Sequence, residues 1–196
     1  MAALRPKAVI LGHSFVRRLR DDLRKNFDVR ASASFALDSS LEVFLLGTGG
    51  LTVERLVPQH LGKLKSILPD IVILEIGTND LGQSCRPEVV GSSIDDLVLF
   101  LREELKVKVV GVCLVIPRKL RKTKLPDLQF KVAMDILNQY LRVVLEGYSF
   151  AFVWEHRQLG SAKDVISMDG VHVNVKGQYL LYRSYRGALL KALNML

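Results

Sequence analysis

Cysteine is scarce in this chain: Cys85 and Cys113 are its only two among 196 residues. Two cysteines are too few for a disulfide framework, and these lack metal-ligand spacing. They are expected as reduced, partly buried thiols. Long hydrophobic runs are also missing, so no segment approaches membrane-spanning length. Met1 to Pro6 contains no apolar stretch of the kind a secretion signal needs. No internal repeat or low-complexity linker interrupts the chain. These absences make a soluble intracellular protein, by default cytoplasmic, the expectation, either whole or as a domain of a longer chain.

Acidic residues are outnumbered as well. There are 20 Asp and Glu against 28 Lys and Arg, for a net charge of +8 and a pI near 9.6. Such a balance favours anionic partners: nucleic acid, an acidic membrane surface or an anionic substrate. The excess is clustered. Arg17, Arg18, Arg20, Arg24 and Lys25 fall on one expected helix, and Arg118, Lys119, Arg121, Lys122 and Lys124 crowd one expected loop. Hydrophobic residues at 49% and charged residues at 24% are ordinary for a globular domain. The length suits one domain, 1–196, with a sizeable core.

Short apolar runs alternate with helical patterns. The runs are Lys7–Leu11, Glu42–Leu46, Ile71–Ile76, Val107–Ile116 and Ser149–Trp154. Rich in Val, Ile and Leu and without polar alternation, they suit strands buried on both faces. Between them, Phe15, Leu19 and Leu23 are four apart, and Val53, Leu56, Val57, Leu61, Leu64 and Leu68 form a helical stripe. Similar stripes run through Ile94–Leu101, Val132–Val144 and the last segment from about Gly177 to Leu196. Alternating strand and helix implies a parallel sheet with helices on both faces. Residues 27–40 read as a short extra strand or an irregular loop.

Ligands of such a sheet bind beyond the carboxyl ends of its strands. That rule selects Gly12-His13-Ser14, Gly47-Thr48-Gly49-Gly50, Gly77-Thr78-Asn79-Asp80 and the loop after Ile116. Ser14 lies between a buried strand and a helix, so alone it reads as a helix cap; near a helix N-terminus it also suits a nucleophile that develops negative charge. Asn79 is an ordinary turn residue, or an amide that donates to an oxyanion. Gly50 is a turn glycine, or a backbone N–H left open to a ligand. Asp169 and His172 are three apart, which lets the carboxylate reach the imidazole and hold its tautomer; the plainer reading is an Asx turn beside a surface histidine. Each signal is weak, but all converge on one edge.

In that order the segments resemble the SGNH (GDSL-type) hydrolase family. Gly12-His13-Ser14 is similar to its first block, Gly50 to its second, Gly77-Thr78-Asn79-Asp80 to its third and Asp169-Gly170-Val171-His172 to its last. The resemblance extends from Val9 to about Gln178, and looks closest to esterase-type domains of animal genomes and LINE-type retrotransposon proteins. It implies a three-layer α/β/α sandwich with a flavodoxin-like five-stranded parallel sheet. It implies Ser14 as nucleophile, His172 as general base and then acid, and Asp169 as the residue orienting His172. The oxyanion hole would be Ser14 N–H, Gly50 N–H and the Asn79 amide. The reaction implied is ester hydrolysis through an acyl-serine, with no metal or organic cofactor.

One departure stands out: the family's first block usually has aspartate where this chain has His13. Adjacent side chains of an extended segment point apart, so His172, with its own carboxylate, is the better base. His13, Arg118, Lys119 and Arg121 are expected as substrate contacts; His60 and His156 as structural or surface residues. Two function classes follow. One is a serine esterase acting on short-chain or lipid-like carboxylic esters, acetyl esters included. The other is a weakly active or inactive module of the same fold that binds nucleic acid or an anionic membrane through its basic surface.

Overall fold

Unbroken apolar runs become strands here because both faces of the sheet are covered. The computed structural model describes residues 5–117, 126–161 and 164–196. Five parallel strands, β1 (Lys7–Gly12), β2 (Glu42–Gly47), β3 (Ile71–Glu75), β4 (Val109–Cys113) and β5 (Ala151–Trp154), lie in the order β2-β1-β3-β4-β5. Successive side chains alternate between two apolar layers. Val9, Leu11, Val72 and Leu74 enter one layer with helices α2 (Val53–Ile67), α4 (Pro87–Glu103) and α5 (Asp127–Glu146). Ala8, Ile10, Ile71 and Ile73 enter the other with α1 (Ser14–Arg24) and α7 (Val175–Leu193). The result is the expected α/β/α sandwich. Among the described residues, no helix is long and apolar enough to cross a membrane.

Several boundaries differ from expectation. Regular pairing in β4 stops at Cys113, although residues 114–116 remain buried. Leu114 N–H still bonds Trp154 O, but the Asn138 side chain takes both backbone groups of Val115, at 2.9 and 3.0 Å, in place of a strand partner. The short helix α3 (Thr78–Gly82) arises where Asn79 read as a turn residue, and a second short helix, α6 (Arg157–Ser161), follows β5. Residues 27–40 form turns, not a strand. Phe35 and Leu37 anchor them in the α1/α7 layer, with Phe35 stacked on Tyr182 at 4.9 Å.

Sheet order places the ends of β1 and β3 side by side at the centre, with Gly12 paired to Glu75. The switch in strand direction of travel falls there, where open α/β sheets build their sites.

Candidate active site

At the end of β1 the chain turns into α1. His13 is the N-cap: its Nδ1 accepts the Phe15 N–H at 3.4 Å. Ser14 is the first helical residue, so its N–H belongs to the turn that lacks intrahelical acceptors. The cap reading of Ser14 therefore passes to His13.

Between β5 and α7 lies a tight turn that carries Asp169 and His172. Gly170 adopts φ 72°, and the Ser167 N–H and Oγ both donate to His172 O, at 2.7 and 2.8 Å. Asp169 Oδ1 accepts the N–H groups of Val171 and His172, each at 2.9 Å. Its Oδ2 meets His172 Nδ1 at 2.6 Å, and His172 Nε2 lies 3.1 Å from Ser14 Oγ. Partial burial raises the Asp169 carboxyl pKa. The two backbone donors and His172 outweigh that and hold it well below the usual carboxylate range. An ionised carboxylate on Nδ1 fixes the tautomer whose Nε2 can take a serine proton. Arg18 Nη2 stands 3.9 Å from the same carboxylate.

The two remaining blocks are stitched together. Asn79 Nδ2 donates to Leu51 O at 2.8 Å, and Asp80 Oδ1 accepts the Val53 N–H at 3.1 Å. The α3 turn thus clamps the β2–α2 loop that carries Gly50. Gly50 has φ 68° and is exposed, in backbone space that non-glycine residues seldom enter. One N–H of the Asn79 amide is engaged by Leu51, and a primary amide has a second. Burial pushes the Asp80 carboxyl up, against the Val53 hydrogen bond.

The His13 side chain turns into the protein interior. Its side chain is fully buried, with Nε2 3.7 Å from Glu75 Oε1 and its ring 4.8 Å from that of Phe15. Extended geometry sends Ser14 one way and His13 the other, into the protein. Arg118, Lys119 and Arg121 lie outside the described residues, as does the rest of that basic loop to Lys124.

Sequence reading missed a second polar group beneath the site. Glu75 is 3% exposed and accepts from His156 Nε2 at 2.8 Å and from Tyr185 Oη at 2.9 Å, both on Oε2. Burial opposes its ionisation. The attraction and hydrogen bond of His156, with help from His13 and Tyr185, overcome that and lower its pKa. Burial raises the Tyr185 and Cys113 pKa values, and the Glu75 charge raises them further. His156 Nδ1 lies 2.7 Å from Ser184 Oγ, which also accepts the Trp154 indole N–H at 2.9 Å. A signal did exist: a glutamate inside the apolar run Ile71–Ile76 must find partners if it is buried. His60 is likewise structural, 5% exposed and 3.1 Å from Thr48 Oγ1. Cys85 is exposed and Cys113 buried, and neither is in a disulfide. Among the described residues, Glu75, Cys113 and His156 form one group able to hold a metal ion, with ligand atoms within 4.8 Å. In this structure the Glu75 carboxylate instead accepts hydrogen bonds from His156 and Tyr185.

A five-stranded parallel α/β/α sandwich with a serine, histidine and aspartate in contact at its central strand ends is the architecture of SGNH-type hydrolases. Residues 10–180 match the GDSL-like Lipase/Acylhydrolase family, and the chain belongs to it. No curated protein matches by sequence. Solved structures share the fold. A GDSL-like lipase from Bacteroides thetaiotaomicron aligns with TM-score 0.72 at 15% identity, over 95% of this chain and 88% of that one. A carbohydrate esterase family 3 protein from Talaromyces cellulolyticus aligns with TM-score 0.71 at 16% identity, over 98% of this chain and 100% of that one. A serine-to-alanine mutant of an acetyl esterase, solved with acetate ion, aligns with TM-score 0.69 at 15% identity, over 96% of this chain and 98% of that one.

Proposed function

We propose that this chain hydrolyses short-chain or lipid-like carboxylic esters, acetyl esters included, with Ser14 as nucleophile. The observation that carries this reading is the unbroken contact chain Asp169 Oδ2–His172 Nδ1 at 2.6 Å and His172 Nε2–Ser14 Oγ at 3.1 Å. His172 removes the Ser14 proton as Oγ attacks the ester carbonyl, and Asp169 stabilises the imidazolium formed. The N–H groups of Ser14 and Gly50 and the Asn79 amide receive the developing oxyanion. His172 then gives its proton to the leaving alkoxide, and an acyl-serine remains. Water, deprotonated by the same imidazole, attacks the acyl group and frees Ser14. Every step moves a proton or an acyl group among these residues, the ester and water.

The basic face of α1 supports a preference for anionic esters. Arg17, Arg18 and Lys25, with Asp21 and Asp22 between them, line a groove that also borders Ser167 and Asn174, next to the Asp169 turn. The test is a chain-length series of chromogenic esters, neutral and anionic, on wild type and Ser14→Ala. The expected result is turnover of the short acyl chains that Ser14→Ala loses. Turnover equal in the two proteins would remove Ser14 from the mechanism. Equal rates for neutral and anionic esters in wild type and in Arg17→Gln/Arg18→Gln would remove the charge preference alone.

A further inference from the structure

Helix α5 carries four large apolar side chains that stay 40 to 73% exposed: Leu128, Val132, Ile136 and Val143. Single apolar residues on a surface need no explanation, but these four recur on one face. On an α-helix they fall, with the exposed Gln139 among them, within an arc of about 80°. The opposite side of α5 already holds Phe130, Met134, Leu137, Leu141 and Leu145 in the core. One buried apolar face is what an outer helix needs. The second face leaves area in water that association would remove.

Charged residues border this stripe on a single flank. Lys131, Asp135, Arg142 and Glu146 are all exposed and lie within about 60° of one another, beside the apolar arc. Their signs alternate along the helix: plus, minus, plus, minus. Turned end for end, the pattern reads minus, plus, minus, plus. In an antiparallel pair of helices related by a two-fold axis, the same flank of each copy meets. Lys131 then faces Glu146 of the second copy, and Asp135 faces Arg142. Both pairings share one centre, between Asn138 and Gln139, so a single axis makes them all. The same centre brings Val132, along the helix, to within about 3 Å of Val143 of the second copy. Within one chain, Lys131 Nζ lies 2.7 Å from Asp135 Oδ2, and Arg142 Nη2 lies 3.0 Å from Glu155 Oε2. A carboxylate accepts more than one hydrogen bond and a guanidinium donates several. These pairs can therefore be kept and extended across the axis.

We propose that this face of α5 docks a second copy of the chain, α5 against α5, antiparallel about a two-fold axis beside Gln139. A lipid surface fits the face less well. It would take in Asp135 and Glu146 along with the apolar stripe and strip them of water without supplying a partner. The second copy supplies partners of opposite sign. One helix face is smaller than the standard interface of roughly 1,600 Å². The dimer therefore exchanges with monomer, and its population rises with concentration.

Sedimentation velocity of the whole chain, from low to high micromolar concentration, tests this. The expected result is a mass that doubles as concentration rises. Val132→Glu and Val143→Glu alter exposed positions, so circular dichroism should not change, yet each should raise the dissociation constant by about tenfold or more. Asp135→Arg and Arg142→Asp should each weaken the dimer, and the Asp135→Arg/Arg142→Asp double variant should regain much of the loss. Cross-linking reads the orientation. In a Cys85→Ser background, which removes the exposed native thiol, Gln139→Cys should form a disulfide between copies under mild oxidation. Leu128→Cys, far from the axis, should not. Ser14→Ala should associate like wild type, so the result is independent of the esterase reading. A monomer at every concentration overturns the proposal, as does a dimer that both glutamate variants leave unchanged or one that Leu128→Cys links as readily as Gln139→Cys. Flotation of a monomeric protein with phosphatidylcholine vesicles, lost in Val132→Glu, would overturn it too and assign the face to a lipid surface.

Discussion

Ser14–His172–Asp169 and Ser184–His156–Glu75 contain the same three functional groups in the same order of contact. The histidine-to-carboxylate distances are close, 2.6 Å in the first group and 2.8 Å in the second. What separates them is surroundings. The His172 and Asp169 side chains are 19% and 33% exposed, whereas those of His156 and Glu75 are 0% and 3% exposed. Ser14 begins a helix, where N–H groups lack intrahelical acceptors. Ser184 sits inside α7, where regular helix hydrogen bonding takes its backbone N–H. Ser184 Oγ also accepts from the Trp154 indole, which draws electron density away from any attack. In the second group the serine's own N–H is tied up in the helix, and the histidine side chain is fully buried. The comparison teaches that a serine, a histidine and a carboxylate in contact do not make a nucleophile. On the proposed mechanism, access and backbone donors at the serine are what the second group lacks.

The contrast is broken or sharpened first at the serines. Ser14→Ala should lower kcat for ester hydrolysis by at least about a thousandfold, while Ser184→Ala changes it by no more than about twofold; steady-state assays of both variants decide this. The carboxylate–histidine pairs come next. Asp169→Asn should cost kcat about 10³- to 10⁴-fold, because the amide favours the wrong tautomer, with little change in urea unfolding. His156→Ala should do the reverse. It leaves Glu75 as a buried unpaired charge and should cost about 3–5 kcal/mol of stability, while the folded protein keeps its kcat within a few-fold.

His13 connects the two regions, so replacing it sharpens the comparison further. His13→Asp would set a second carboxylate beside Glu75. A loss of about 1–3 kcal/mol is expected from like-charge crowding in a buried site, with much of it recovered in His13→Asp/Glu75→Gln. A double-mutant cycle in urea shows no coupling if the two residues are independent. The smallest effect concerns pH. Folding lowers the Glu75 pKa below its ordinary value of 4.5. Its stabilising share is therefore fully present above that value and is lost as pH falls through the lower folded pKa. Between neutral pH and pH 3, the Tm of wild type should fall more steeply than that of Glu75→Gln, as scanning calorimetry would show.

Much of the sheet is legible in the sequence because doubly covered strands appear as unbroken Val, Ile and Leu runs. Lys7–Leu11 and Ile71–Ile76 each locate a central strand to within a residue. Asp169 and His172 are legible for another reason: they sit three residues apart in one turn, so their contact is local. Their alignment with Ser14, 158 residues from His172, follows only once sheet order is known. The Glu75 group escapes because its partners are remote, His156 at 81 residues and Tyr185 at 110, with no spacing rule linking them. The end of β4 escapes because Asn138, on a different helix, takes over the backbone of Val115. His13 shows both sides. Alternation along the chain correctly turns it away from Ser14, but nothing local reveals that it turns toward Glu75.

The central claim is that one of the two serines, and not the other, is an activated nucleophile. A fluorophosphonate probe followed by intact-mass analysis and peptide mapping tests it most directly. The account predicts a single adduct, located on Ser14, absent from Ser14→Ala and retained in Ser184→Ala. No adduct on the folded wild-type protein, or an adduct that persists in Ser14→Ala, would contradict it.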